Sequence, residues 1–211
     1  MFSRIIGGIV ALLLLPLSLL AHTRQDDVNV IVKKTKELYK GTTTAKLTFT
    51  QSGAGSSVSG TLEYSTGNKF RLTLPDRTII SDGTKTWTYV KERNQVVINK
   101  AATGGQITPN DILRSFPGDY TSTLGGSTKV GGKDTWIVNA TASGSKRVGD
   151  INSATLYIDK GTYRFRKIAV TSPTLGTMTL TIGSAQYNIA LASSRFTFTA
   201  PKGATVIDLS K

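Results

Sequence analysis

The chain contains no cysteine and a single histidine, His22. The first absence excludes disulfides, thiolate metal sites, cysteine nucleophiles and lipidation of the chain's own N-terminus. The second removes the usual general base, because one imidazole at the end of an apolar leader cannot serve a Ser–His or metal mechanism. Acids are also scarce, 13 Asp and Glu against 26 Lys and Arg. Most of those present are scattered, among them Asp76, Asp82, Asp134, Asp150 and Asp159 near expected turns or loops. A carboxylate pair for glycoside hydrolysis is the enzymatic option and turn-forming aspartate the plainer one. Gly104-Gly105 and Gly125-Gly126 stand apart and make no phosphate loop. The expectation is a protein without catalytic residues, cofactor or metal.

Long apolar runs are confined to the start. Arg4 precedes the stretch from Ile9 to Ala21, which Pro16 interrupts. It has the length of a secretory h-region and falls short of the roughly 20 apolar residues that span a bilayer. Residues 1–23 therefore read as a signal peptide cut between Ala21 and Arg24, with an uncleaved N-terminal anchor as the alternative. Removing it takes only Arg4 from the formal charge of +13. A field this basic favours anionic partners such as acidic membrane surfaces, although solvated lysines on the outside of a β protein produce the same count. Residues 24–211 are the length of one domain with one core.

What is abundant is alternation. Leu62, Tyr64, Phe70, Leu72 and Leu74 share one parity while Lys69, Arg71 and Thr73 take the other, the period of two that sends side chains to opposite faces of a strand. Further strands are expected at 46–51, 77–81, 85–90, 95–100, 127–130, 135–141, 154–159, 163–171, 177–187 and 195–199, bounded by Gly, Asn, Asp or Pro. Asp82-Gly83 is a strong hairpin signal. Two helices are expected. One runs from Asp26 to Tyr39, with Val28, Ile31 and Leu38 on its apolar side, and the other from Thr108 to Phe116, with Thr108 as its cap. So many short strands with two helices predict an α+β fold that is mainly β: an incomplete, unclosed antiparallel barrel, the helices covering its apolar concave face.

Several short pieces follow in a characteristic order: Phe49-Thr50-Gln51, Gly60-Thr61-Leu62, Lys69-Phe70-Arg71, Ser81-Asp82-Gly83, Trp87-Thr88-Tyr89 and Phe196-Thr-Phe-Thr-Ala-Pro-Lys-Gly203. Their order and spacing resemble the LolA family of periplasmic outer-membrane lipoprotein carriers. The resemblance implies a soluble, monomeric periplasmic chaperone whose cavity holds the acyl chains of lipoproteins between an inner-membrane releasing transporter and an outer-membrane acceptor. The lining implied is Leu47, Phe49, Leu62, Tyr64, Phe70, Leu72, Leu74, Trp87 and Tyr89. The lid is Val28, Ile31, Leu38, Ile112, Leu113 and Phe116. Alternation alone leaves an ordinary closed core equally open. In the family an arginine precedes a Pro-Asn step after the Gly-x-Leu strand; here Thr66 and Gly67 stand at those positions, and Lys69 or Arg71 are the substitutes in reach.

Two further functions fit the same residues. One is a periplasmic lipid- or lipoprotein-sensing regulatory domain. The other is a basic β protein without a cavity, binding anionic surfaces through Lys33, Lys34, Lys36 and Lys40; no reading involves nucleic acid.

Overall fold

The computed structural model describes residues 18–101, 120–143, 150–174 and 176–210, with side chains from residue 27 onward. Helix α1 spans Ser18–Lys40. It begins before the predicted start, so the expected cleavage point falls inside it. The expected second helix, with Ile112, Leu113 and Phe116, lies outside the described residues, as do residues 1–17 of the expected leader.

Twelve strands follow: β1 (Thr44–Gly53), β2 (Ser56–Ser65), β3 (Lys69–Thr73), β4 (Arg77–Asp82), β5 (Lys85–Val90), β6 (Gln95–Lys100), β7 (Tyr120–Val130), β8 (Lys133–Ala142), β9 (Ser153–Asp159), β10 (Phe165–Ser172), β11 (Gly176–Tyr187) and β12 (Thr205–Asp208). They form one sheet in the order β12-β6-β5-β4-β3-β2-β1-β11-β10-β9-β8-β7. It does not close into a barrel: β12 and β7 are its two ends. Each pair is antiparallel except β12 with β6, which is parallel. The fold is therefore mainly β with one described helix, as the alternation predicted.

The turns follow from their residues. Gly67 and Asn68 both take positive φ, 78° and 58°, between β2 and β3, the conformation that tight hairpins require and that Gly and Asn tolerate. Asp82 Oδ1 accepts the N–H groups of Thr84 and Lys85, each at 2.7 Å, while Gly83 takes φ 94°. A Cβ on Gly83 would run into the carbonyl oxygen of Gly67, so the Ser-Asp-Gly motif both turns the chain and lets two hairpin ends pack together.

One correction concerns the end of the chain. The residues expected to form a strand at 195–199 instead enter a 3-10 turn, Ser193–Phe196. The carbonyls of Arg195 and Thr197 accept from the Arg71 guanidinium, at 2.7 and 3.4 Å, rather than from a neighbouring strand. The true final strand, β12, lies beyond Gly203.

Candidate functional site

Opposed residues in an antiparallel pair share a face, so the register traces one surface across the sheet. Leu47 stands opposite Leu62, Leu62 opposite Leu72, and Tyr64 opposite Phe70. On the other side of β1, Phe49 meets Ile182; beyond it Leu180 meets Ile168, Ile168 meets Leu156, and Leu156 meets Val138. This inner face is apolar from β3 to β8. Leu47, Phe49, Leu62 and Tyr64 are buried in its core, and Phe70, Leu72 and Leu74 are partly buried against it.

Along α1, Val28, Ile31, Thr35 and Tyr39 recur at helical spacing and all four are buried, with Val28, Ile31 and Tyr39 in the same hydrophobic cluster as that face. Leu38 is half-buried. Each fully buried aliphatic side chain contributes about 1.5–3 kcal/mol relative to exposure. The Thr35 hydroxyl is the exception, buried without a hydrogen-bond partner among the described residues.

Aromatic rings fill the space by the end of α1. Tyr39 stacks on Phe165 with centroids 4.8 Å apart, and its hydroxyl accepts the Phe165 N–H at 3.0 Å. The Arg164 guanidinium lies 3.4 Å from the Tyr187 centroid and 5.5 Å from that of Tyr39, a close cation–π arrangement. Burial, reinforced by Tyr187, holds the Tyr39 hydroxyl well above the ordinary phenol range, and the Phe165 hydrogen bond and Arg164 offset only part of this.

Trp87 and Tyr89 do not join this lining. Trp87 stands opposite Ile80, Ile80 opposite Arg71, and Arg71 opposite Glu63, which places both aromatics on the outer face. The chain reverses parity between β3 and β5, where Ile79 and Ile80 are adjacent and the sheet is apolar on both sides. Here the outer face is covered. Phe196 is buried and the Phe198 ring tilts against Tyr89 with centroids 5.8 Å apart.

Charge fastens this covering segment. Glu63 has a side chain only 4% exposed and receives Arg195 at 2.7 Å and Lys46 at 3.4 Å. Burial and the nearby Arg195 cation lower the pKa of Arg71 from its ordinary value, with Glu63 opposing. Of the two substitutes for the family arginine, Arg71 is committed to the outer face, as its outward parity predicted, and Lys69 shares that parity and is exposed. Thr66 donates its N–H to the Thr43 carbonyl at 2.9 Å.

An open groove of about 590 Å³ runs across β11, β1, β2 and the end of β3. Thr48, Thr50, Ser59, Thr61, Thr73 and Thr181 line it together with Phe49, Gly60, Leu74, Pro75 and Gly183. Two of its hydroxyls pair with each other, Thr50 Oγ1 with Ser59 Oγ at 2.9 Å, and Thr48 Oγ1 pairs with Ser184 Oγ at 3.1 Å. The hydroxyl wall has outer-face parity, while Phe49 and Leu74, two residues of the expected acyl lining, border the groove from the other parity. Gly60 explains the Gly-x-Leu motif: a Cβ there would come within 2.8 Å of both the Phe49 ring and Leu74. Among the described residues no group of His, Cys, Asp or Glu could hold a metal ion, and no helix is long and apolar enough to cross a membrane.

The model of the outer membrane lipoprotein carrier protein LolA family matches residues 40–199. No curated protein sequence matches the chain. Among solved structures, an uncharacterized conserved protein from Thermus thermophilus is similar at 14% identity and a TM-score of 0.58, covering 86% of this chain and 99% of that one. LprF from Mycobacterium bovis is similar at 13% identity and a TM-score of 0.54, covering 85% and 98%. At such identities the likeness is one of fold.

Proposed function

This chain belongs to the LolA family of outer membrane lipoprotein carrier proteins, and from that premise we propose that its inner face takes up the acyl chains of lipoproteins and carries them between membranes. The observation that carries the reading is the continuous apolar inner face, from Leu72 in β3 to Val138 in β8, in a sheet that does not close. An unclosed sheet can part from the helix packed on it without breaking a ring of strand hydrogen bonds. Each acyl methylene taken from water contributes about 0.8 kcal/mol, so ten would hold cargo by roughly 8 kcal/mol, tight yet reversible if opening the lid costs part of that.

In this reading residues 1–23 direct export and are removed, the carrier is a soluble periplasmic monomer, and α1 forms the lid over the inner face. A releasing transporter of the inner membrane supplies cargo and an acceptor of the outer membrane receives it. No catalytic role is proposed. With Trp87 and Tyr89 removed, the lining proposed is Leu47, Phe49, Leu62, Tyr64, Phe70, Leu72 and Leu74.

The test is release of labelled lipoproteins from spheroplasts on adding the purified protein. Release as a soluble one-to-one complex is the expected result. Failure to release, with acyl probes still bound, would move the assignment to a lipid-sensing regulatory domain; failure of both would leave a β protein without a cavity.

A further inference from the structure

The exposed side of α1 carries a basic stripe. Lys33, Lys36 and Lys40 recur along it at helical spacing, and Val30, half exposed, stands in line one turn earlier. Asp27 and Glu37 are the acids on this side. Lys33, Lys34 and Lys36 make no ion pair among the described residues.

At the edge of the stripe, Lys34 ties the helix to the sheet. Its Nζ donates to the Tyr163 hydroxyl at 3.2 Å and lies 4.8 Å from that ring's centroid. Tyr163 sits in the turn between β9 and β10 with φ 57°, an uncommon backbone conformation for a bulky residue. It tilts against Trp136 at 5.1 Å, and Lys160 Nζ lies 5.9 Å from the Trp136 ring. Two ammonium groups thus flank the seam between α1 and the β9–β10 turn.

We propose that the α1 lysine stripe docks on an anionic bilayer, and that headgroup phosphates draw Lys34 away from Tyr163 and loosen α1 over the inner face. The loosening step rests on the acyl-carrier reading above; the docking step does not. Charge complementarity selects the occupant. A second copy of a chain with net charge +13 would be repelled, whereas each lysine near an anionic bilayer strengthens binding about fivefold. Val30 supplies an apolar contact of the kind interfacial helices bury below the headgroups. Thr35 lowers the cost of lifting the helix, because its hydroxyl, unpartnered among the described residues, gains water when the seam opens.

The experiment is cosedimentation of the full chain with vesicles of phosphatidylcholine alone and of phosphatidylcholine mixed with phosphatidylglycerol. Any contribution of residues 1–23 is common to all variants. Phosphatidylglycerol should strengthen binding, and Lys33→Gln with Lys36→Gln should weaken it on the order of twentyfold on the anionic vesicles only. Equal binding to both vesicle types, or by wild type and the double variant, would overturn docking. Entry of a fluorescent fatty acid reads the second step. Anionic vesicles should speed entry into the wild type, and Lys34→Met should speed it without vesicles; unchanged entry in Lys34→Met would overturn the release step. If no form takes up the fatty acid while the vesicle preference persists, docking stands and the carrier reading falls.

Discussion

Arg195 and Glu63 stand 132 residues apart in sequence, yet their side chains meet on the outer face through contacts of 2.8 and 2.7 Å. The pair fastens the segment from Ser193 to Phe198 over β3 and β4. Removing one partner leaves the other a buried or half-buried charge, while removing both is far milder.

A double-mutant cycle should show this coupling directly. Arg195→Met alone should destabilise by about 1–3 kcal/mol, the cost of depriving a nearly buried carboxylate of its strongest partner. With Glu63→Gln in the background the same change should cost much less. Urea unfolding of the four proteins measures the coupling, and additivity within a few tenths of a kcal/mol would show that the pair holds nothing in place.

Thr35→Val should stabilise the protein by about 1 kcal/mol, since it keeps the shape and removes a buried hydroxyl that makes no hydrogen bond among the described residues. Urea midpoints decide it. A loss of stability would mean the hydroxyl has a partner in solution.

Three glycine-to-alanine changes should separate. At Gly60 the added methyl meets the Phe49 ring, Leu74 and the Thr73 carbonyl, and the cost should be about 1–3 kcal/mol. Gly83→Ala should also destabilise, because of its positive φ and the Gly67 carbonyl. Gly41→Ala should be nearly neutral, its closest contact being 3.5 Å. Equal effects at Gly41 and Gly60 would contradict the packing described.

Acyl binding should follow face and not hydrophobicity. Leu72→Glu or Phe70→Glu places a charge on the inner face and should weaken binding of a fluorescent fatty acid by on the order of a hundredfold or more. Tyr89→Leu, on the outer face, should bind as the wild type does. The reverse pattern would exchange the two faces.

The Tyr39 hydroxyl gives an alkaline signature. Its folded pKa is raised, chiefly by burial, so its contribution to stability is complete below the unfolded value of about 10. It is lost as pH rises from there toward the folded value. Tyr39→Phe forfeits the Phe165 hydrogen bond and should be less stable at neutral pH. The gap should narrow above pH about 10, as read by urea titrations; a constant gap would mean the phenol ionises freely in the folded state.

The strands were legible because alternation is a local signal: Leu62, Leu72 and their neighbours needed no partner to declare a face. Parity does not survive an unknown turn, which is why Trp87 and Tyr89 fall with Leu72 in the sequence although they point the other way. At β4 the pattern itself is ambiguous, since Ile79 and Ile80 are consecutive and both faces are covered. Arg195 to Thr199 also alternates as a strand would, but its carbonyls are taken by Arg71, a residue no local window connects to them. The hydroxyl groove escaped for a similar reason: Thr48, Thr61, Thr73 and Thr181 converge only through register. The ordering of the family motifs, by contrast, is carried along the chain itself, and the match over residues 40–199 bears it out.

The parallel pairing of β12 with β6 sets an order in time. Thr205 lies opposite Gln95, so this ladder needs most of the chain to be present before its first hydrogen bond, whereas each hairpin of the meander closes between sequence neighbours. Contacts of such separation form late, because the loop they close is fixed only after local structure has repaid its entropy. The Ser193–Phe198 segment is just as remote in sequence from the strands it covers, with Arg195 held by Arg71 and Phe198 against Tyr89, so the outer surface around Ile80 also stays uncovered until late, an apolar patch on strands already paired with their neighbours. A chain emerging from its N-terminus passes through that stage at the end, and its exposure to aggregation is concentrated there.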